Sequence, residues 1–191
     1  KNPPELAEGL KDYIDHSILG YTMPNNAFYE SVVRWMKDRH QWEIKPDWLV
    51  QAPGVVNALF GIVKTFTEPG DGVIIMQPVY YPFSEVIKND GRRLVNCQLR
   101  YENNHYSIDF EKMEKMIREE GVKALIFCNP HNPVGKIWDR KTLARIGEPC
   151  EKYHVTAISD EIHCDLTDPG KEYIPFASVS DTCKRISVTC M

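Results

Sequence analysis

Two short stretches bring an amide and a carboxylate within one helix-length of each other: Asn129-Pro130-His131-Asn132-Pro133-Val134-Gly135 and Ser159-Asp160-Glu161-Ile162-His163-Cys164-Asp165. Prolines on either side of Asn132 restrict the backbone and hold its amide in one orientation, from which it can donate to a phenolate or hydroxyl oxygen. Asp160 closes an otherwise apolar run, and a carboxylate there is costly to bury unless it meets a cation or a strong donor, such as a protonated ring nitrogen. Delivered to one crevice, the two groups suit a heteroaromatic cofactor with a hydroxyl and a ring nitrogen. Plainer roles stand beside these, since asparagine is a common turn residue and an aspartate can cap a helix or pair with a surface cation.

Other groups fit the same picture. Gly54 stands between a strand candidate and a helix, so Val55, Val56 and Asn57 offer backbone N–H groups to a phosphate at a helix N-terminus. A proline–glycine pair before a helix is by itself a weak signal. Tyr80 and Tyr81 follow a strand between Pro78 and Pro82, where a rigid ring can lie on a flat cofactor or simply fill the core. His131, His163, Cys164 and Asp165 invite a metal reading, but their spacing matches no compact zinc signature. Neighbours such as His163 and Cys164 would point to opposite faces of a strand, which also argues against a cysteine–histidine nucleophile pair.

Elements must hold these groups in place. Val122 to Cys128 and Val155 to Ile158 read as buried strands on either side of a helix over Asp139 to Tyr153. This strand–helix–strand unit gathers polar residues at the carboxyl ends of its strands, where open α/β sheets bind ligands. Further helices are expected over Pro3 to Asp15, Ala27 to His40, from Gly54 to about Phe66, Phe83 to Asn89 and Asp109 to Glu120. Strands are expected at Trp48-Leu49-Val50, Val73 to Met76, Leu94 to Leu99 and Ile186 to Met191. The alternation predicts a three-layer α/β/α domain with a mostly parallel sheet. The division expected is an N-terminal helical segment over residues 1–45 and part of a larger sheet domain over 46–191.

Composition narrows the class. A formal charge of −4 with scattered lysines and arginines gives no footprint for nucleic acid, and no apolar run approaches a membrane span. The six cysteines form no CxxC pair, a pattern that fits reduced, buried thiols and a cytoplasmic protein better than a disulfide framework. The chain opens on Lys1 and closes on an apolar run ending at Met191, so it is expected to be a fragment of a larger protein.

Taken in order along nearly the whole chain, Pro53-Gly54-Val55-Val56, Pro78-Val79-Tyr80-Tyr81-Pro82, Asn129 to Gly135 and Ser159 to His163 resemble the fold-type I pyridoxal-phosphate enzymes. More narrowly, they resemble the cystathionine β-lyase-like subgroup (carbon–sulfur lyases of the MalY/PatB type) of the class I/II aminotransferases. The resemblance implies pyridoxal 5'-phosphate (PLP) as cofactor. Asp160 would pair with its pyridinium nitrogen, Asn132 would bond its phenolic oxygen, and Tyr80 would stack on its ring with Tyr81 beside it. Val55 and Val56, starting from Gly54, would hold its phosphate. His163 occupies a position where many relatives carry a tyrosine near the phenolic oxygen, and Tyr21 looks like the tyrosine that reaches the partner subunit's cofactor in family homodimers. The family's anchoring lysine and its carboxylate-gripping arginine are expected beyond Met191, and Lys184, ahead of the last strand, is a poor substitute. Alone, the chain is therefore expected to be inactive. For the parent, three functions remain open: a β-lyase on cystathionine- or cysteine-like amino acids, an aminotransferase on the same scaffold, and a non-catalytic cofactor-binding or regulatory protein.

Overall fold

Side-chain caps and turn residues start and stop the helices. A computed structural model describes residues 2–191 of the chain. Its N-terminal part holds α1 (Pro4–His16) and α2 (Asn26–His40). Asn25 caps α2 by accepting the Phe28 N–H at 3.0 Å. Then come α3 (Val55–Phe66), β1 (Gly72–Ile75), α4 (Pro82–Asn89), β2 (Arg93–Asn96), a hairpin of β3 (Arg100–Glu102) and β4 (His105–Ser107), and α5 (Phe110–Glu119). The chain continues through β5 (Val122–Cys128), α6 (Arg140–Lys152), β6 (Thr156–Asp160), α7 (Asp181–Ile186) and β7 (Ser187–Cys190). Asp109 and Asp139 cap α5 and α6, accepting the N–H groups of Lys112 at 3.1 Å and Thr142 at 2.7 Å.

The main sheet is wholly parallel, in the order β2-β1-β5-β6-β7. Successive side chains alternate between its faces, and both faces are covered, which is why the strands read as unbroken apolar runs. Val73, Ile75, Ala124, Ile126, Cys128, Ile158 and Cys190 pack with Leu59 and Val63 of α3 and Phe83, Val86 and Ile87 of α4. On the other face, Ile74, Leu125, Phe127 and Ala157 pack with Met113 and Ile117 of α5, Leu143 and Ile146 of α6, and Cys183 of α7. Each fully buried aliphatic or aromatic side chain in these layers contributes roughly 1.5–3 kcal/mol. Gly147 lets α6 approach α7 closely, since a Cβ there would stand 2.8 Å from Cys183 Sγ. The three-layer α/β/α arrangement expected from the alternation is the one observed. Among the described residues no helix is long and apolar enough to cross a membrane.

Two local expectations are corrected. Trp48-Leu49-Val50 is not a strand: Pro46–Trp48 is a 3-10 turn, and Pro46 at its start presets the tight backbone. Trp48 instead lies against cations, with Lys45 Nζ 5.8 Å and Lys184 Nζ 4.9 Å from its ring centre. The strand expected to run to Leu99 stops at Asn96, and the chain then forms the unanticipated β3–β4 hairpin, turning on Asn103 and Asn104 at φ 50 and 59.

Candidate functional site

Register decides what meets at the carboxyl edge of the sheet. Cys128, Asp160 and Cys190 lie side by side on β5, β6 and β7. The Asn129 N–H donates to the Asp160 carbonyl at 3.0 Å, and the Glu161 N–H donates to the Cys190 carbonyl at 2.7 Å. Asp160 is therefore held by backbone bonds on both sides while its carboxylate stands at the strand end, with only 4 % of the residue exposed. Burial pushes its carboxyl above the ordinary value, opposed by the Ile162 N–H and the nearby charge of His163. That N–H, 3.2 Å from Oδ1, is the one protein hydrogen bond to the carboxylate among the described residues. A carboxylate so desolvated and so sparsely bonded suits a cationic N–H donor from a ligand.

The other expected residues lie on the elements and turns around the sheet. Asn132 is half-buried in the turn after β5, where its N–H lies 3.2 Å from Cys128 Sγ and the Gly135 N–H donates to the His131 carbonyl at 2.8 Å. Tyr80 is half-buried after β1, with its ring edge-on to Phe83 at 5.9 Å, whereas Tyr81 is 70 % exposed. Tyr80, Val55 and Val56 all pack on the apolar cluster that contains Cys128, Ile158 and Cys190. Gly54 caps α3 at φ 92, a backbone state natural to glycine, and nothing lies within 4 Å of where its Cβ would be. The opening N–H groups of a helix have no partner within it and form an anion cradle. His163 is half-buried in the turn that follows Glu161 and lies close enough to influence Asp160. Tyr21 is fully exposed between α1 and α2. Lys184 sits in α7 at the opposite, amino end of β7.

The residues that invited a metal reading are sorted differently. Cys164 and Asp165 do come together, but with His40 rather than His163. His40 Nε2 is 2.8 Å from Asp165 Oδ1, and the Trp35 indole N–H donates to Oδ2 of the same carboxylate at 3.0 Å. His131 is buried, donating from Nε2 to the Pro78 carbonyl at 2.9 Å and so tying the Asn132 turn to the Tyr80 loop. Burial lowers its pKa, which keeps the ring neutral.

Three supporting residues, two of them inside the stretches singled out in the sequence, are assigned no role there. The Asn129 side chain accepts the Trp138 N–H and donates to the Ile174 carbonyl, each at 3.0 Å. The Trp138 indole donates to the Cys128 carbonyl at 3.2 Å and meets the His131 ring edge-on at 5.6 Å. Glu161, next to Asp160 in the chain, turns its carboxylate away into the helix layer, where Ser159, Tyr173 and Phe176 bond it. These partners sit in stretches without periodicity, and only the fold brings them together.

A parallel α/β/α domain with a buried carboxylate at the carboxyl edge of its sheet belongs to the class of open sheets that bind ligands at that edge. The family model described as "Aminotransferase class I and II" matches residues 2–190, and the chain belongs to that family. It is 44% identical over 188 residues to the cystathionine beta-lyase PatB of Bacillus subtilis, covering 98% of this chain and 49% of that protein. Cystalysin from Treponema denticola, whose crystal structure contains pyridoxal 5'-phosphate, superimposes with a TM-score of 0.96 at 48% identity, over 99% of this chain and 48% of that one. The PLP-bound C-S lyase from Staphylococcus hominis superimposes with a TM-score of 0.92 at 32% identity, over 98% of this chain and 48% of that one. The chain thus spans about half the length of the relatives it matches.

Proposed function

We propose that the protein carrying this chain is a PLP-dependent β-lyase that cleaves the Cβ–S bond of cystathionine- or cysteine-like amino acids, releasing a thiol, pyruvate and ammonia. It works as a cytoplasmic homodimer on a small amino-acid substrate, with Tyr21 reaching the partner subunit's cofactor. The observation that carries the reading is Asp160, a buried carboxylate at the sheet's carboxyl edge with a single protein donor among the described residues. The likeness to the cystathionine beta-lyase PatB and to the C-S lyase of Staphylococcus hominis supports the substrate class.

The residues fit the cofactor by their chemistry. When bound, PLP supplies an electron sink for the carbanion left by loss of the substrate's α-proton. Asp160 accepts the ring N–H and keeps that nitrogen protonated, which maintains the sink. The Asn132 amide donates to the phenolic oxygen, with His163 beside it. The Tyr80 ring would stack on the cofactor ring, braced edge-on by Phe83 at 5.9 Å. Gly54, Val55 and Val56 hold the phosphate through backbone N–H groups. Removal of the proton on the substrate's α-carbon falls to the lysine that the family resemblance implies.

The test is product analysis. Full-length protein loaded with PLP and given cystathionine is expected to release pyruvate and a thiol with no keto acid present. An amino-acid product formed only when a keto acid is added would replace this reading with transamination. Turnover of neither kind, with cofactor bound, would leave a non-catalytic binding protein.

A further inference from the structure

Asp160 is aimed by the turn that follows it, and that turn is anchored from below. The Ile162 N–H that bonds Asp160 Oδ1 at 3.2 Å lies one residue beyond Glu161, and the Cys164 N–H closes the turn on the Glu161 carbonyl at 2.9 Å. Any movement of Glu161 therefore moves the donor that orients the Asp160 carboxylate. Glu161 is completely buried. Its Oε1 accepts the Ser159 hydroxyl at 2.6 Å and the Phe176 N–H at 2.9 Å, and its Oε2 accepts the Tyr173 hydroxyl. Ser159 belongs to β6, while Tyr173 and Phe176 belong to the strap between β6 and α7. One carboxylate thus binds the strand that carries Asp160 to the strap that follows it.

The anchorage continues outward. The His40 ring meets the Tyr173 ring edge-on at 5.0 Å, and His40 and Trp35 of α2 both bond Asp165 on the strap. Through these contacts α2 is joined to the same turn from a distant part of the sequence. Keeping a carboxylate fully buried is costly unless its oxygens are bonded, and here each oxygen is. A core that needed only filling at this position would be served better by an apolar side chain.

We propose that Glu161 is a positioning residue for the cofactor: held by Ser159, Tyr173 and Phe176, it fixes the turn whose Ile162 N–H aims Asp160 at the ring nitrogen. The inference rests on the proposed pairing of Asp160 with PLP and assigns its geometry to a side chain that does not touch the cofactor.

The test separates aim from bulk stability. Full-length protein stripped of cofactor is titrated with PLP and with an analogue carrying carbon in place of the ring nitrogen, following cofactor absorbance. The wild type is expected to prefer PLP, because only PLP can meet Asp160. Glu161→Gln and Tyr173→Phe are each expected to lose about tenfold of that preference, the scale of one misaligned charge-assisted hydrogen bond, while binding the analogue as the wild type does. If either folded variant weakens both ligands by the same factor, or leaves the preference intact, Glu161 serves the fold alone and the proposal is overturned. If the wild type itself shows no preference for PLP, the Asp160 pairing fails first and this inference falls with it.

Discussion

Replacing Glu161 by glutamine removes a titration from the core, together with one of the acceptor oxygens that hold the turn. The side chain is completely buried. Burial pushes its carboxyl from 4.5 up to about 7, against the lowering effect of bonds from Ser159, Tyr173 and Phe176. Its folded-state pKa is thus raised, so the folded protein holds this proton more tightly than the unfolded chain. The resulting stability is fully present below about pH 4.5 and is lost as pH climbs through about pH 7. Holding the proton over that interval is worth on the order of 3 kcal/mol. Glu161→Gln is neutral at every pH and lacks this dependence. Urea unfolding of full-length wild type and variant, across the interval from about pH 4.5 to about pH 8, isolates the group. His131, lowered by burial, titrates in both proteins and cancels in the difference. The wild type's advantage should shrink by on the order of 3 kcal/mol as pH rises. A difference that stays flat, or grows in the wild type's favour with pH, refutes the reasoning and makes Glu161 an ordinary ionised carboxylate held by its three donors.

Two further outcomes are expected. Asp160→Asn keeps the shape but removes the charge, so PLP should bind roughly tenfold to hundredfold more weakly, by the worth of a hydrogen bond between charged groups; a cofactor titration with unchanged midpoint would contradict the pairing. Among the described residues, its own chain neighbours aside, Gly54→Ala meets no atom within 4 Å of the new methyl, so its cost comes from the backbone at φ 92. That cost should be about 1–3 kcal/mol in urea unfolding of the cofactor-free protein, and a neutral result would show that the turn relaxes.

Much of the frame was legible because it is local. The apolar run Val122 to Cys128 is β5 to the residue, and the helices expected to open at Asp109 and Asp139 do so, with those two residues as their caps. Asp160 and Asn132 stood out because they are polar groups at the ends of apolar strands. What failed to show depends on partners far along the chain. Trp48 looks β-prone, but with no strand beside it Pro46 and two lysines decide its surroundings. The β3–β4 hairpin did carry a signal, the Asn103-Asn104 turn between Tyr101 and Tyr106, which an exposed and polar pair of strands conceals. His40 and Asp165 carry no shared pattern, because a hydrogen bond between them is a fact of packing alone. The same is true of Glu161 and Tyr173, whose contact needs the strap to fold back under β6.

The six thiols make this chain a set of buried clocks. Cys97, Cys128, Cys150, Cys164, Cys183 and Cys190 are all buried and unbridged. Desolvation pushes them up, to about 12 for Cys128, Cys150 and Cys190 and about 11 for Cys97 and Cys164. A native thiol held that far above neutrality is nearly inert, so an alkylating reagent marks each cysteine only when its surroundings open. Cys164 keeps time for the strap, Cys150 and Cys183 for the seam between α6 and α7, and Cys128 and Cys190 for the strands on either side of Asp160. The order in which these sites are modified would trace how the cradle comes apart, with no probe added by design.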